Sequence, residues 1–229
     1  MCLVRKLVLV MLKRANKCNF IYRVALLRPM IIDLTMPIDE KTPNFPGDPI
    51  LKIKRHNVKQ HTYGKTFLEM HTHVSTHIDA PSHMINGAKT LSDFPIEKFI
   101  GDAIVIDVRD QKNIEPDISN LKNSDIVFFY TSHSDKSYKP DYFKNNPVIT
   151  EKTARKLVEK KVSIIGLDSF TPDNEPYDVH KILLKNNILI VENLINLNEL
   201  SGKRFKCFIM PMKITGADGA PCRVVGILE

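Results

Sequence analysis

The 229-residue sequence is poor in cysteine, and its cysteines lie too far apart for a cysteine zinc site. They are Cys2, Cys18, Cys207 and Cys222, and no two of them have CxxC spacing. A few scattered cysteines in a chain of this length are typical of a protein in a reducing compartment. We therefore predict a cytoplasmic location, with Cys207 packed as a small apolar side chain.

The sequence also lacks an apolar run that could cross a membrane. The stretch at 7–12 is apolar, but basic pairs flank it, and a spanning helix needs about 20 apolar residues. No small-residue cleavage site follows it, as a signal peptide would require. We expect residues 1–29 to be a basic N-terminal extension from an upstream start of the reading frame, and 30–229 to be the domain. A targeting or membrane-surface helix over 1–29 is the alternative.

The net charge of +7 comes entirely from that extension. Residues 1–29 hold seven of the 33 lysines and arginines and no acid, so residues 30–229 carry 26 basic and 26 acidic groups. A nucleic-acid-binding domain needs a basic surface of its own. The balanced charge of 30–229 therefore predicts no nucleic-acid partner.

The apolar pattern after residue 30 predicts a strand-rich α/β domain. Continuous apolar runs, typical of strands buried on both faces, lie at 103–108, 126–130 and 162–167. Other strands are predicted at 31–34, 51–54, 66–70, 188–191, 205–210 and 223–228. Thr150 is the expected N-cap of a helix that ends near Lys160, and a short helix is expected over 179–184. The sequence has no internal repeat, so we predict a single domain with few helices.

Four of the eight histidines lie within residues 71–83, HTHVSTHIDAPSH. Imidazole and carboxylate are ligands that suit zinc, manganese and iron. His73 and His77 share a face on a helix and also on a strand, where Asp79 joins them. Three such ligands with an open position describe a catalytic metal site. The alternative is that these histidines cap loops and satisfy hydrogen bonds in the core.

A second ion would need ligands from further along the chain, if Asp79 bridges two cations. His180 and Glu192 stand out because each lies beside an apolar segment. A buried carboxylate without a partner is costly, although Glu192 alone is also explained by an ordinary ion pair at a strand end. The other candidates are His133, Asp168, Asp173, Glu175 and Asp178.

His83 follows Pro81 and is displaced from the other histidines of the segment. A metal ion lowers the pKa of bound water from 15.7 to about 7, which provides hydroxide at neutral pH. A histidine beside such a site can carry a proton to a leaving nitrogen or oxygen. We therefore predict that His83 is catalytic and not a ligand.

The segment 73–83 resembles the HxGTHxDxPxH signature of the cyclase family of metal-dependent hydrolases, which includes bacterial-type kynurenine formamidases and isatin hydrolases. The resemblance covers residues 30–229, and this long motif is its most specific part. The accessory segments are 33–38 (DLTMPI), 46–49 (PGDP), 168–169 (DS), 179–194 and 219–223 (GAPCR). The resemblance implies a swivelling β/β/α fold that forms homodimers or homotetramers.

The resemblance also implies two divalent metal ions per subunit, zinc or manganese. The residues that match ligands of the first ion are His73, His77 and Asp79. Those that match ligands of the second are Asp79, His180 and Glu192. His83 matches the catalytic histidine of the family.

The sequence departs from the family pattern at two points. Ser75 stands where the motif has glycine, which reduces local backbone freedom. The sequence also has no tryptophan, the residue with which the formamidases line their pocket. Phe45, Phe67 and Tyr63 are the candidates to replace it.

The function implied by the resemblance is hydrolysis of an amide or lactam C–N bond in a small molecule. An arylformamidase is the expected type, converting N-formylkynurenine and water to kynurenine and formate. One alternative is a cyclase or dehydratase that acts on a polyketide-like substrate. Another is a metal-dependent binding protein without turnover, against which the presence of His83 argues.

Overall fold

The computed structural model describes residues 29–57 and 63–228. The expected extension at 1–29 therefore lies outside the described residues, apart from Pro29. The α-helices are α1 (Glu151–Glu159) and α2 (Asp178–Lys185). The strands are β1 (Met30–Asp33), β2 (Lys52–Asn57), β3 (Gly64–Glu69), β4 (His77–Asp79), β5 (Ile100–Asp107), β6 (Asn113–Ile114), β7 (Ile126–Tyr130), β8 (Val148–Ile149), β9 (Ile164–Leu167), β10 (Leu189–Glu192), β11 (Arg204–Pro211) and β12 (Gly219–Leu228).

Seven strands close into a barrel-like ring. They pair in the order β12, β11, β5, β7, β9, β10 and β4, and β4 pairs back onto β12. β11 occupies one edge of β12 at 222–227, whereas β4 and β1 share the other edge, at 219–221 and 225–228. The predicted strand-rich α/β domain with few helices is confirmed.

The parallel strands of the ring are β5, β7, β9 and β10. The last three are buried on both faces, whereas β5 is buried on its inner face and half-buried on its outer one at Ile104 and Ile106. Along β7, Ile126 and Phe128 join one apolar cluster, whereas Val127 and Phe129 join another. The first cluster takes side chains from all seven strands and fills the ring. The second joins the outside of the ring to α1 and α2. Burial on both sides explains why these strands read as continuous apolar runs.

The two helices form where the sequence predicts them. Thr150 caps α1, since its Oγ1 accepts a hydrogen bond from the Thr153 N–H at 3.2 Å. Just beyond the helix, Lys161 has a left-handed φ of 53°. α2 buries Leu183 and Leu184 against the outside of the ring. Its packing fixes the position of His180 on the same helix.

Within the described part of the chain, β2 and β3 pair only with each other. This hairpin leaves Phe67 and Leu68 57% and 51% exposed. Among the described residues, neither α-helix has the length and apolar character needed to span a bilayer.

Gly166 in β9 has no room for a Cβ. An added methyl would lie 2.8 Å from Phe128 Cδ1 and 2.9 Å from Leu194 Cδ1. We expect Gly166→Ala to lower the free energy of unfolding by about 1–3 kcal/mol through overpacking, measured by urea denaturation. Gly101→Ala is the control, because its nearest neighbour, Ile126 Cδ1, is 3.3 Å away. Equal stability of the two variants would contradict this packing.

Candidate metal centre

The candidate site lies on the outside of the ring, where β4 is held between β10 and β12. Ile78 points into the ring, so its neighbours His77 and Asp79 point to the opposite side. Glu192 pairs with His77 across β10 and β4, which puts a second carboxylate on that side. All three polar side chains are buried.

His77 is oriented by a backbone carbonyl. Its Nδ1–H donates to Ser75 O at 2.8 Å, and Asn193 Nδ2 donates to the same oxygen at 3.0 Å. The His77 Nε2 atom therefore faces Asp79 Oδ1 at 3.4 Å and Glu192 Oε2 at 3.3 Å. A ring held through one nitrogen presents the other as a ligand.

Ser75 shows why the family motif has glycine at this position. Its φ of 56° lies in the left-handed region, which glycine enters most easily. The Ser75 hydroxyl donates to Met36 O at 2.8 Å, which holds the turn. Serine thus meets a backbone requirement that the sequence alone left open.

His73 reaches the site through this turn and not through strand alternation. β4 begins only at His77, so the predicted shared face does not extend back to His73. The turn lays the His73 ring on Gly219, where a Cβ would lie 2.6 Å from Cε1. From there, His73 Nδ1 lies 2.8 Å from Asp79 Oδ1.

His180 comes from α2 and is held by a second carboxylate behind it. Its Nδ1–H donates to Asp173 Oδ1 at 2.5 Å, and Asp173 Oδ2 accepts from the Val179 N–H at 2.7 Å. The His180 Nε2 atom faces Glu192 Oε1 at 3.4 Å and Asp79 Oδ2 at 3.9 Å. Asp173, considered as a ligand from the sequence, instead orients a candidate ligand.

These side chains form two groups that share Asp79. The ligand atoms of each group lie within 4.8 Å of one another: His73, His77 and Asp79 in one, and Asp79, His180 and Glu192 in the other. They are the two sets that the sequence resemblance implies. Asp79 Oδ2 is buried without a hydrogen-bond donor among the described residues, which is costly for a carboxylate. A divalent cation between the groups would satisfy it, so the donor set fits a metal.

The remaining candidates do not join these groups. His133 lies in a hydrogen bond with Tyr142 O at 2.7 Å. Asp168 accepts from the Thr131 N–H and Oγ1–H at 2.8 and 2.6 Å. Neither Glu175 nor Asp178 is in a donor group among the described residues. His71 lies at the cavity wall, with Nε2 3.8 Å from Asp48 Oδ2.

Opposite charges dominate the electrostatics of the metal-free site. Burial disfavours the charged form of His73, yet the charge of Asp79 and the hydrogen bond to it raise the pKa of His73 to about 9. Burial also opposes protonation of His180, but Asp173 and Glu192 raise its pKa to about 10. Burial opposes ionisation of Asp79 too, and the facing imidazoles still hold its pKa well below the usual range.

His83 lies at the rim of the site. It ends the short 3-10 turn Pro81–His83, and its ring centroid is 4.0 Å from that of His73. Its Nδ1 lies 3.4 Å from Asp218 Oδ2. Asp218 was missed from the sequence, although it directly precedes the GAPCR segment at 219–223.

A cavity of about 490 Å³ opens onto these groups. One wall is aromatic: the Phe45 ring is 5.4 Å from Phe143 and 6.0 Å from Phe170, centroid to centroid. Phe45 was expected here, whereas Phe143 and Phe170 were not. The prediction that Phe67 or Tyr63 lines the pocket is wrong, since neither residue lines this cavity. Phe67 lies in β3 of the β2–β3 hairpin, and Tyr63 directly precedes β3.

The fold and the donor set define a strand-rich α/β protein with buried imidazole and carboxylate groups that could hold a metal ion. Residues 32–174 match the Cyclase family model. The chain therefore belongs to the cyclase family.

Named relatives agree with this assignment. Kynurenine formamidase of Bacillus cereus is 31% identical over 205 residues, which cover 85% of this chain and 95% of that protein. The structure of a predicted metal-dependent hydrolase from Bacillus stearothermophilus superposes with a TM-score of 0.71 at 26% identity, covering 88% of this chain and all of that chain. Isatin hydrolase A from Ralstonia solanacearum has the same fold, with a TM-score of 0.79 at 21% identity and coverage of 94% and 100%.

We expect zinc uptake by the metal-free protein at pH 8 to release protons. His73 and His180, with pKa values of about 9 and 10, are protonated at that pH, whereas a ligating imidazole must be neutral. The zinc affinity should therefore rise as the pH is raised toward 9. Isothermal titration calorimetry in buffers of different ionisation enthalpy measures the protons released. Zinc binding at pH 8 that releases no proton would contradict ligation by these histidines.

Proposed function

We propose that this chain is a metal-dependent hydrolase of a non-peptide C–N bond, with an aryl formamide as its preferred type of substrate and related amides or lactams as weaker ones. The observation that carries the proposal is a buried carboxylate, Asp79, shared by two imidazole-carboxylate groups beside an aromatic-walled cavity. The kynurenine formamidase relative, of which the chain covers 95%, supports the same reaction type.

The proposed cofactor is a pair of divalent ions, zinc or manganese, since nitrogen and carboxylate ligands suit both. The first ion would be held by His73, His77 and Asp79, and the second by Asp79, His180 and Glu192. Ions bound there would polarise a carbonyl group and lower the pKa of water.

The surrounding residues prepare the donor atoms for this task. The carbonyl of Ser75 and the carboxylate of Asp173 hold the outer nitrogens of His77 and His180. Their Nε2 atoms therefore face inward with little freedom to rotate, as orienting contacts of this kind ensure. Asp79 Oδ1 faces His73 of the first group, and Asp79 Oδ2 faces His180 of the second, so this carboxylate sets the distance between the two groups.

The cavity wall selects the substrate in this proposal. Phe143 and Phe170 meet edge to face at 5.1 Å, and with Phe45 they offer apolar surface to an aryl ring. No lysine or arginine is among the described residues that line the cavity, whereas Asp48 and Asp218 are. Away from the proposed ions, the wall therefore offers no lysine or arginine to an anionic group, and recognition would depend on the aromatic surface.

His83 has the role of proton donor. When the C–N bond breaks, the electron pair stays on nitrogen and a proton must reach it. The Nδ1 atom of His83 is turned toward Asp218, so Nε2 is the nitrogen left for the substrate.

We also propose that the enzyme works as a homodimer or homotetramer in the cytoplasm. The exposed Phe67 and Leu68 on the β2–β3 hairpin support self-association. Free buried Cys207 and Cys222 fit a reducing compartment.

Metal analysis tests the two-ion arrangement. Three protein ligands are typical of a catalytic metal site, and each of the two groups supplies three. We therefore expect about two zinc or manganese ions per chain in the wild-type protein, and one fewer in His180→Ala. That variant removes a donor of the second group alone, so the first group keeps its ion. Lys181→Ala, an exposed neighbour on the same helix, is the control and should retain the wild-type content. Equal metal content in His180→Ala and wild type would contradict the second site.

Hydrolysis assays test the reaction and the role of His83. We expect the wild-type enzyme to convert formanilide and N-formylkynurenine to the free amine and formate. His83→Ala should keep its metal but lose about 10²–10⁴-fold in kcat, the range of general acid catalysis. Full metal loading without turnover in the wild type would indicate a binding protein. Full activity in His83→Ala would remove that residue from the mechanism.

A further inference from the structure

Asp218 contacts two histidines that have different roles in the proposed reaction. Its Oδ2 atom lies 3.1 Å from His73 Nε2 and 3.4 Å from His83 Nδ1. Its Oδ1 atom accepts from Thr72 Oγ1 at 3.0 Å. A single carboxylate thus contacts a proposed metal ligand and the proposed proton donor.

The backbone around Asp218 is fixed to the strand that carries the shared carboxylate. The Ala80 N–H donates to Asp218 O at 2.8 Å, and the next residue, Gly219, pairs with Asp79 across β12 and β4. Because Gly219 has no side chain, the His73 ring lies directly against this backbone. The Asp218 carboxylate is therefore held at a defined place at the rim of the site.

We propose that Asp218 is a positioning residue for proton transfer by His83. It accepts the Nδ1–H of His83, which leaves Nε2 as the nitrogen that is presented to the departing amine. It also accepts the Nε2–H of His73, which directs Nδ1 of that ring toward Asp79. This inference rests on the proposed hydrolysis of a C–N bond.

The step at which Asp218 acts is the breakdown of the amide. Water adds its oxygen to the formyl carbon, the C–N bond breaks, and the electron pair of that bond stays on nitrogen. His83 Nε2 delivers a proton to that nitrogen, which makes the product a neutral amine, and takes up in its place the proton that the water lost. Without the carboxylate, the His83 ring is free to turn and its outer nitrogen has no fixed partner. We therefore expect kcat to fall for a substrate whose leaving group needs a proton.

Two substrates with the same formyl group separate this role from a general structural one. The nitrogen of formanilide must be protonated as it leaves, whereas 4-nitrophenolate leaves 4-nitrophenyl formate without a proton. We expect Asp218→Ala to lower kcat for formanilide about 10- to 100-fold, the usual loss when an orienting carboxylate is removed. Because Asp218 also holds His73, metal affinity is expected to fall, so both assays are run with saturating metal. Under those conditions we expect kcat for 4-nitrophenyl formate and KM for both substrates to stay near their wild-type values.

Two further variants serve as controls. Asp218→Glu, which restores a carboxylate, should recover part of the formanilide rate. Asp33→Asn removes a carboxylate of similar exposure, 47% against 44% for Asp218, that pairs with Arg223 away from the cavity. It should keep the wild-type ratio of the two rates.

The outcomes separate this inference from the proposed function. If wild-type enzyme hydrolyses formanilide, and Asp218→Ala loses both activities equally or loses neither, the positioning role is wrong. Loss of a metal ion in Asp218→Ala that saturating metal does not restore would also overturn it, because the carboxylate would then hold the ion itself. If the wild type hydrolyses the aryl ester but never formanilide, the proposed C–N hydrolysis itself is overturned.

Discussion

The structure around the site depends on one buried carboxylate. Asp79 is 1% exposed, and an isolated charge there would be strongly unfavourable. Its strand pairs with β10 on one side and β12 on the other, which brings Glu192 and Gly219 beside it. The strand pairings that close the ring are therefore the same ones that bring these charged groups together.

Contacts behind the inner donor atoms make the arrangement specific. Three rings point nitrogen atoms at Asp79, and each uses its other nitrogen for a separate acceptor. These acceptors are the Ser75 carbonyl and the Asp173 and Asp218 carboxylates. A carboxylate or carbonyl behind an imidazole sets its tautomer and its angle. Because the acceptors come from three different loops, the loops are as much a part of the site as the strands.

The local sequence pattern predicted those helices and strands whose formation depends on residues close together in the chain. The buried strands followed from continuous apolar runs, and α1 followed from the Thr150 cap. Alternation along a strand placed His77 and Asp79 on one side correctly. It failed for His73, because the chain turns at Ser75 and the strand begins only at His77. Backbone reversals of this kind depend on distant partners such as Met36.

Long-range parts of the site had no local signal. Glu192 meets His77 only because β10 pairs with β4, and spacing alone left Glu192 open to an ordinary ion pair. The family resemblance supplied what pattern could not. It did not identify Asp218, and Asp173 was considered only as a ligand, because a loop carboxylate behind a histidine looks in sequence like any exposed acid.

The division between strands and loops also bears on substrate choice. The donor groups are carried largely by β4, β10 and α2, whose registers the ring fixes. The aromatic wall instead comes from Phe45, Phe143 and Phe170, which lie in the segments after β1, before β8 and after β9. Loops tolerate substitution better than paired strands. A chain without tryptophan can therefore keep the imidazole and carboxylate groups of the family motif, while phenylalanines from its loops form the wall of the cavity.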